Sequence, residues 1–500
     1  VSGAKQVPRA KPAGIPLPPI VAEIRGRIAE PDAYLVGGAV RDAILGRPTL
    51  DFDVVLRGDG VAAARSAADA LGAAFYPLDA ERGIGRVILC RGLDRYTLDF
   101  ASLRGESIDA DLALRDFTVN AIAVPLRDPA RMVDPLHGEK DARAGVLRAC
   151  SPLAVADDPV RAVRAVRLAA QFGFRIEKAT KEQARAGAAR LGRVSAERIR
   201  DEFFRILAGR KVAAAIHSLE SLGLLRMILP ETAGLADRAP GREQAGVWEH
   251  TLAALEKFEL LCDALLRAPA ARIPGGEFAA ARDRLARFQP ALAEYLARPL
   301  CDERPVRGLV FLAAVLHDAA KPETRTVDAA GGVHYIGHEQ LGAEWALQRA
   351  AALRFSRDEA DFVSKIVRHH MRPMLLGSSE PVTRRAVFRF FRATGPCGIA
   401  VSLFYLADFL AARRGESAPD AWPAAVETVH SLLEGYFERP DEMIRPAPLL
   451  AGDDLIREFG LCPGPQIGEL LDALREAQAA GEVATRADAL ALVRRGLGRK

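Results

Sequence analysis

The sequence predicts an α/β N-terminal head, a small mixed sheet with helices, followed by all-α regions that fill the rest of the chain. Three observations predict it. From about Tyr34 to Arg148 short apolar runs alternate with helical segments. From Ala162 onward apolar residues recur at three- and four-residue spacing. Five hundred residues at 49% hydrophobic content suffice for several cores, about three or four domains by length.

The first residues, to Pro19, carry Lys5, Arg9 and Lys11 among prolines and lack the apolar core of a secretion signal. They read as part of a flexible segment over 1–30. Tyr34-Leu35-Val36 suits a buried strand, Gly37-Gly38 permits a tight turn, and Ala39 to Leu45 suits a helix whose first amides face a phosphate, with Arg41 as a fixed cation. Asp51 and Asp53 bracket Phe52, and in a strand residues i and i+2 share a face, so both carboxylates reach one site. Mg²⁺ favours one or two carboxylates plus substrate phosphates. Alone, the Gly-Gly pair also fits an ordinary turn, and Asp-x-Asp a solvated strand end or cap; their joint order and spacing favours nucleotidyl transfer. Strands are further predicted at Arg86 to Cys90, Tyr96 to Phe100 and Ile122 to Pro125.

Farther on, Asp157-Asp158-Pro159 opens a helix in which Asp158, Arg161 and Arg164 share one face. A carboxylate acceptor beside an Arg donor selects bases that present an amino group next to a ring-nitrogen acceptor, so C and A over U and G. Asp157 or Asp158 also fits a helix N-cap with Pro159 at N1. The helical spacing continues through Ile199, Phe203, Ile206, Leu207, Ile216, Leu219, Leu222 and Leu225. Arg242 to Gly246 and Ala268 to Gly276 read as surface connections.

Composition narrows the class. A net charge of +4 and a pI of about 8.7 are only mildly basic. Cations cluster at Arg161–Arg175, Arg185–Arg210 and Arg486–Lys500, which suits a phosphate backbone and equally a solvated Arg-rich helix. Mean hydropathy is +0.03, and no uncharged apolar stretch of about 18 residues stands out, so no membrane span and a cytoplasmic location are expected. Six cysteines without a C-x-x-C pair argue against a zinc knuckle or disulfide framework.

The run Gly37-Gly38-x-x-Arg41-Asp42-x-x-Leu45-Gly46, then Asp51-x-Asp53, resembles the head of the class II tRNA nucleotidyltransferase and bacterial poly(A) polymerase family. Leu112 to Ala121 resembles its ribose-contacting motif, with Arg115, Asp116 and Asn120. Asp157 to Arg164 resembles its base-reading motif, with Asp157, Asp158, Arg161 and Arg164. Asp99, in Thr97-Leu98-Asp99-Phe100-Ala101, matches a third acidic metal ligand. The resemblance implies Mg²⁺ on Asp51, Asp53 and Asp99, CTP and ATP as substrates and a tRNA 3′ end as partner. Three departures stand out: Leu114 replaces an Arg, Asp157 replaces a Glu, and Arg104 to Leu112 is short against the loop that the family associates with switching from C to A.

Five of nine histidines lie in helical sequence as His250, His317-Asp318, His338 and His369-His370. Singly each fits a satisfied polar residue; together, imidazoles and carboxylates from several helices suit a metal that activates water. Their order resembles the HD phosphohydrolase domain carried by long forms of the same family. The resemblance implies His250, His317, Asp318 and Asp408 as ligands of one ion, Ni²⁺, Mn²⁺ or Mg²⁺, with His338 and His369 allowing a second. Leu449 to Ala489 resembles the long-form helical tail, and Pro463-Gly464 within it also fits a plain turn. The implied domains are a head over 31–150, a helical neck over 151–235, an HD domain over 236–435 and a tail over 436–500. Three activities remain open: CCA, CC-only or A-only addition; poly(A) synthesis; and metal-dependent phosphohydrolysis, with the head serving only to bind RNA.

Overall fold

The computed structural model describes residues 17–28, 30–236, 245–266, 276–377, 382–413 and 421–497. The leading residues 1–16 and most of both expected surface connections lie outside them. The chain forms two compact units, one ending at Val194 and one beginning at Ser195. The division falls inside the segment expected as a separate neck.

In the first unit six strands, β1 (Ala33–Val36), β2 (Asp51–Leu56), β3 (Ala74–Asp79), β4 (Ile84–Arg91), β5 (Asp94–Ser102) and β6 (Ala123–Pro125), form one mixed sheet. Its order is β3-β4-β5-β2-β1-β6. Only β2 and β5 pair in parallel. The Gly60–Leu71 helix lies between them in sequence, capped by Asp59, whose carboxylate accepts from the Val61 and Ala62 amides, and stopped by left-handed Gly72. Its buried stripe of Ala63, Ala64, Ala67, Ala68 and Leu71 has helical spacing and little bulk. The helix therefore seats close to β4, where a Cβ on Gly85 would stand 2.5 Å from the Ala64 Cβ.

Alternation sorts the strands onto two faces. Phe52, Val54, Val87, Leu89, Leu98 and Phe100 are buried on one. Asp51 and Asp53 are exposed on the other, with Arg86 and Asp99 half-buried beside them. Beyond the acids, that second face closes over Val36 and Val55 packed with Leu112, Ala121 and Ala123.

The second unit is helical. Ile199, Phe203, Ile206, Leu207, Ile216, Leu219, Leu222 and Leu225 are all buried, as their spacing predicts. The Val306–Leu316 helix, buried at every residue but Arg307, and the Gly398–Ala412 helix, buried throughout from Gly398 to Ala407, form its centre. Among the described residues the stretch Arg384–Ala412 is long and apolar enough to cross a membrane, but 67% of its apolar window is buried inside the fold. It is also broken at Gly395-Pro396 by a turn of 3₁₀ helix.

Three C-terminal helices, Gly452–Phe459, Pro465–Ala480 and Arg486–Leu497, enclose their own small core of Leu455, Leu474, Val483 and Val493. A row of half-exposed ion pairs joins this tail to the Arg384–Thr394 helix: Arg385 with Glu476 and Glu482, Arg389 with Glu476, and Arg392 with Asp472. Arg384 adds a hydrogen bond to the Ala479 carbonyl. The six cysteines are free thiols.

Candidate active site and metal centre

Gly37 links β1 to the Gly38–Ile44 helix at φ 73° and ψ −136°, a conformation that essentially only glycine adopts. Its bare Cα faces the acids: a Cβ there would lie 2.9 Å from Asp53 Oδ2 and 3.2 Å from Arg115 Nη1. The turn, Asp53 and Arg115 thus form one corner.

Sheet register builds a row through that corner. Val36 is opposite Asp53, Asp53 opposite Asp99, Asp99 opposite Arg86, and Arg86 opposite Tyr76. Asp53 keeps an open face to solvent. Desolvation of its inner side and the Asp99 and Asp51 charges push its carboxyl up to about 6, while Arg115 and Arg86 pull the other way. A carboxylate crowded by like charge is a place for a cation, so this donor set fits Mg²⁺. Asp99 carries a feature the sequence did not reveal. Both its oxygens are held by Arg86, Nε to Oδ1 and Nη2 to Oδ2, each at 2.6 Å.

Asp116 is buried; its Oδ1 accepts from the Phe117 amide at 2.7 Å and Asn120 Nδ2 at 3.1 Å, and its Oδ2 from Arg164 Nη1 at 3.2 Å. Burial works to raise its pKa, but Arg164, Asn120 and the Phe117 amide together hold it below the usual carboxylate value. Asn120 Oδ1 in turn accepts from Arg41 Nη1 at 2.6 Å.

Here one expectation is corrected. Arg41 is not a cation open to phosphate: it is buried, bonded to Asp42 and Asn120, and its guanidinium lies 4.1 Å from the centre of the Phe172 ring. With all its sides engaged it acts as a strut for Asn120.

Arg161 donates to the Leu114, Arg115 and Ala154 carbonyls and stands 4.0 Å from Asp158. Asp157 ends a short helix, Ala154–Asp157, and Asp158 is extended. The next helix, Val160–Phe172, has Pro159 at its N-cap. Sequence reasoning missed Asp111. Fully buried, it holds Arg104 through Oδ1 and Arg115 through Oδ2. Its i,i+4 spacing to Arg115 was the available signal.

In the helical unit His250, His317 and Asp408 converge, as do Asp318, His338 and His370. His250 Nε2 lies 2.8 Å from Asp408 Oδ1 and 3.4 Å from His317 Nε2; His338 Nε2 lies 3.4 Å from His370 Nε2. Asp318 links the two groups, Oδ2 being 3.2 Å from His317 and Oδ1 3.5 Å from His338.

The Nδ1 atoms of His317, His338 and His370 are bonded to the carbonyls three residues earlier, Ala314, Tyr335 and Val367. That fixes the tautomer and aims each Nε2 inward, the arrangement of metal-bound imidazoles. Asp318 Oδ1 is buried without a hydrogen-bond partner, a cost that a cation between the groups would remove. The donor set fits a divalent transition metal.

Burial works to lower the His317 pKa, but Asp318 and Asp408 outweigh it and bring it up to about 10. Burial and the neighbouring His317 bring His370 down to about 4.

His369 was the wrong member of its pair. On the Arg357–His369 helix the buried stripe runs Phe362, Val363, Ile366, Val367, and three- and four-residue spacing carries it to His370. His369 turns toward Arg372, Arg368 and Lys365, and burial with these cations lowers it to about 4.

Comparisons agree with this layout. Residues 33–148 match the family model described as the poly A polymerase head domain, 173–235 the probable RNA- and SrmB-binding site of polymerase A, and 247–412 the HD domain. The A-adding tRNA nucleotidyltransferase of Deinococcus radiodurans is 35% identical, the match covering 96% of this chain and 97% of that one. The CC-adding tRNA nucleotidyltransferase of Geobacter sulfurreducens is 34% identical over 95% of this chain and 94% of its own length. A CCA-adding enzyme solved with ATP shares the fold at TM-score 0.62 and 21% identity, covering 96% of this chain and 94% of that one.

Proposed function

Because the chain belongs to the tRNA nucleotidyltransferase family and matches a poly A polymerase head and an HD domain, we propose that it adds CMP and AMP to tRNA 3′ ends without a template. The observation that carries this is the corner where Gly37 leaves room for Asp53 and Arg115.

In this reading Asp51, Asp53 and Asp99 hold Mg²⁺. The amides after Gly37 and Gly38, with Arg115, receive the triphosphate; Asp116 and Asn120, braced by Arg41 and Arg164, position the ribose. Asp158 and Arg161, with Asp157 beside them, read the amino edge of C or A. Cations bound at the acids supply Lewis-acid stabilisation of the attacking and leaving oxygens. The residues contribute alignment: the 3′-hydroxyl gives up its proton to solvent as its oxygen bonds to the α-phosphorus, the bond from that phosphorus to the α,β-bridging oxygen breaks, pyrophosphate leaves in line, and the fixed donors require no reorganisation.

The reading assigns residues 31–150 to the head, 151–235 to a neck that holds the acceptor end, 236–435 to the HD domain and 436–500 to the tail. His250, His317, Asp318 and Asp408 hold one divalent ion, Ni²⁺, Mn²⁺ or Mg²⁺, and His338 with His370 extends the site to a second, suited to phosphoester hydrolysis.

The short Arg104–Leu112 segment, occupied here by the Ile108–Ala113 helix, favours a second reading in which addition stops at CC. Incubation with Mg²⁺ and tRNA transcripts ending at the discriminator base, at C or at CC, each with one labelled nucleoside triphosphate, separates them. Three nucleotides added and then arrest supports full CCA synthesis; arrest at CC supports the second reading; long A tails or no incorporation would overturn both.

A further inference from the structure

We infer that Arg86 masks Asp99 until RNA binds: the guanidinium holding both Asp99 oxygens passes to a phosphodiester near the RNA 3′ end, and Asp99 then completes the cation-binding row with Asp51 and Asp53. This rests on the nucleotidyl-transfer reading above.

The geometry points there from three sides. Asp99 is opposite Asp53 on one neighbouring strand and opposite Arg86 on the other, so it stands between the acids and the guanidinium. Its charge is spent on Arg86 through a two-bond fork at 2.6 Å. A carboxylate so neutralised is a poor ligand, because a cation drawn to it would meet the guanidinium's own charge.

Something must therefore take Arg86 away. A phosphodiester offers the same two-oxygen face to the guanidinium fork that a carboxylate does. Exchanging one oxyanion for the other keeps the pairing while moving the charge. The pair is open enough for it, with Arg86 29% and Asp99 22% exposed, and the next residue in the row, Tyr76, is exposed as well. The RNA whose hydroxyl reacts at these acids necessarily brings its last phosphodiester within a nucleotide's length of them. RNA arrival and assembly of the complete carboxylate set become one event.

The experiment measures Mn²⁺ binding by electron paramagnetic resonance on the full chain carrying His317→Ala and His370→Ala, one change in each metal group of the helical unit. Titrations are run with and without a tRNA acceptor minihelix ending in a 3′-deoxynucleotide, and head-site binding is the part lost on further Asp51→Asn. In the parent, RNA should tighten that binding about tenfold, an ordinary coupling between two sites. Arg86→Leu should bind Mn²⁺ tightly without RNA, and RNA should then add little; Asp99→Asn should stay weak in both conditions. Should Arg86→Leu fail to fold, Arg86→Gln, which keeps a polar side chain of similar reach but loses the charge, should shift the same way. An Arg86 variant that matches the parent without RNA and keeps the RNA-dependent gain would overturn the inference. If Asp51→Asn removes no Mn²⁺, the fault lies with the active-site reading itself.

Discussion

Replacing Gly37 by Ala adds one methyl group where two demands meet. The backbone stands at φ 73° and ψ −136°, and holding an L-residue in such a region costs about 1–3 kcal/mol. The new Cβ would also lie 2.9 Å from Asp53 Oδ2, closer than carbon and oxygen tolerate. Asp53 or the turn must move, and Arg115 Nη1 at 3.2 Å leaves the carboxylate little room. A displacement near 1 Å at reacting groups lowers rates about a hundredfold. Gly37→Ala should therefore lower kcat for nucleotide incorporation about a hundredfold while reducing unfolding free energy by only about 1–3 kcal/mol.

The control is one residue on. A Cβ on Gly38 meets nothing nearer than Arg41 Nη2 at 3.4 Å, and helical backbone accepts it, so Gly38→Ala should leave stability unchanged and act mainly through KM for the nucleotide. Single-turnover incorporation with a tRNA primer and denaturant unfolding of both variants provide the measurements. Wild-type turnover in Gly37→Ala, with the fold intact, would refute the claim that this glycine makes room for Asp53.

Alanine at Asp51 or Asp53 should abolish transfer and leave RNA binding by filter retention nearly unchanged; transfer at the wild-type rate would remove these acids from the site. Asp116 has a lowered folded pKa, so its stabilisation is fully present above its unfolded value of about 3.9 and disappears as pH falls through the folded value. Asp116→Asn should cost about 1–3 kcal/mol at pH 7 and nothing once acid has protonated the wild-type group, as denaturant titrations across pH would reveal. His317→Ala should remove one tightly bound divalent ion from the helical unit, counted by elemental analysis after dialysis, together with any Ni²⁺- or Mn²⁺-dependent phosphate release. Cys90 and Cys462 are exposed, whereas burial pushes Cys262 and Cys397 up to about 12; a thiol reagent at pH 8 should label the first two quickly and the buried two only after unfolding.

What could be read from sequence was local. The strand, glycine turn and helix from Tyr34 to Leu45 and the paired faces of Asp51 and Asp53 depend on residues next to one another, and they fold as their spacing requires. The Arg86–Asp99 clamp depends on cross-strand register between β4 and β5, which no pattern within either strand specifies. Arg41 misled for a related reason: an Arg beside a phosphate-binding turn looks like a ligand until Asn120 and Phe172, distant in sequence, engage it. Between His369 and His370 the choice was one of helical phase, and the stripe from Phe362 to Val367 would have resolved it. Asp111 stayed unnoticed because a buried carboxylate in a short helix has no sequence signature apart from the arginines it serves.

The row of arginines from Arg385 to Arg392 sets how the tail is held. Exposed pairs of this kind contribute about 0.2–1 kcal/mol each, and salt screens them beyond about 8 Å at physiological ionic strength. The three tail helices carry an apolar core of their own that salt does not weaken. Attachment and folding of the tail therefore respond to different variables. Rising ionic strength should weaken the ion pairs at Arg385, Arg389 and Arg392 before it disturbs the small core that the three tail helices share.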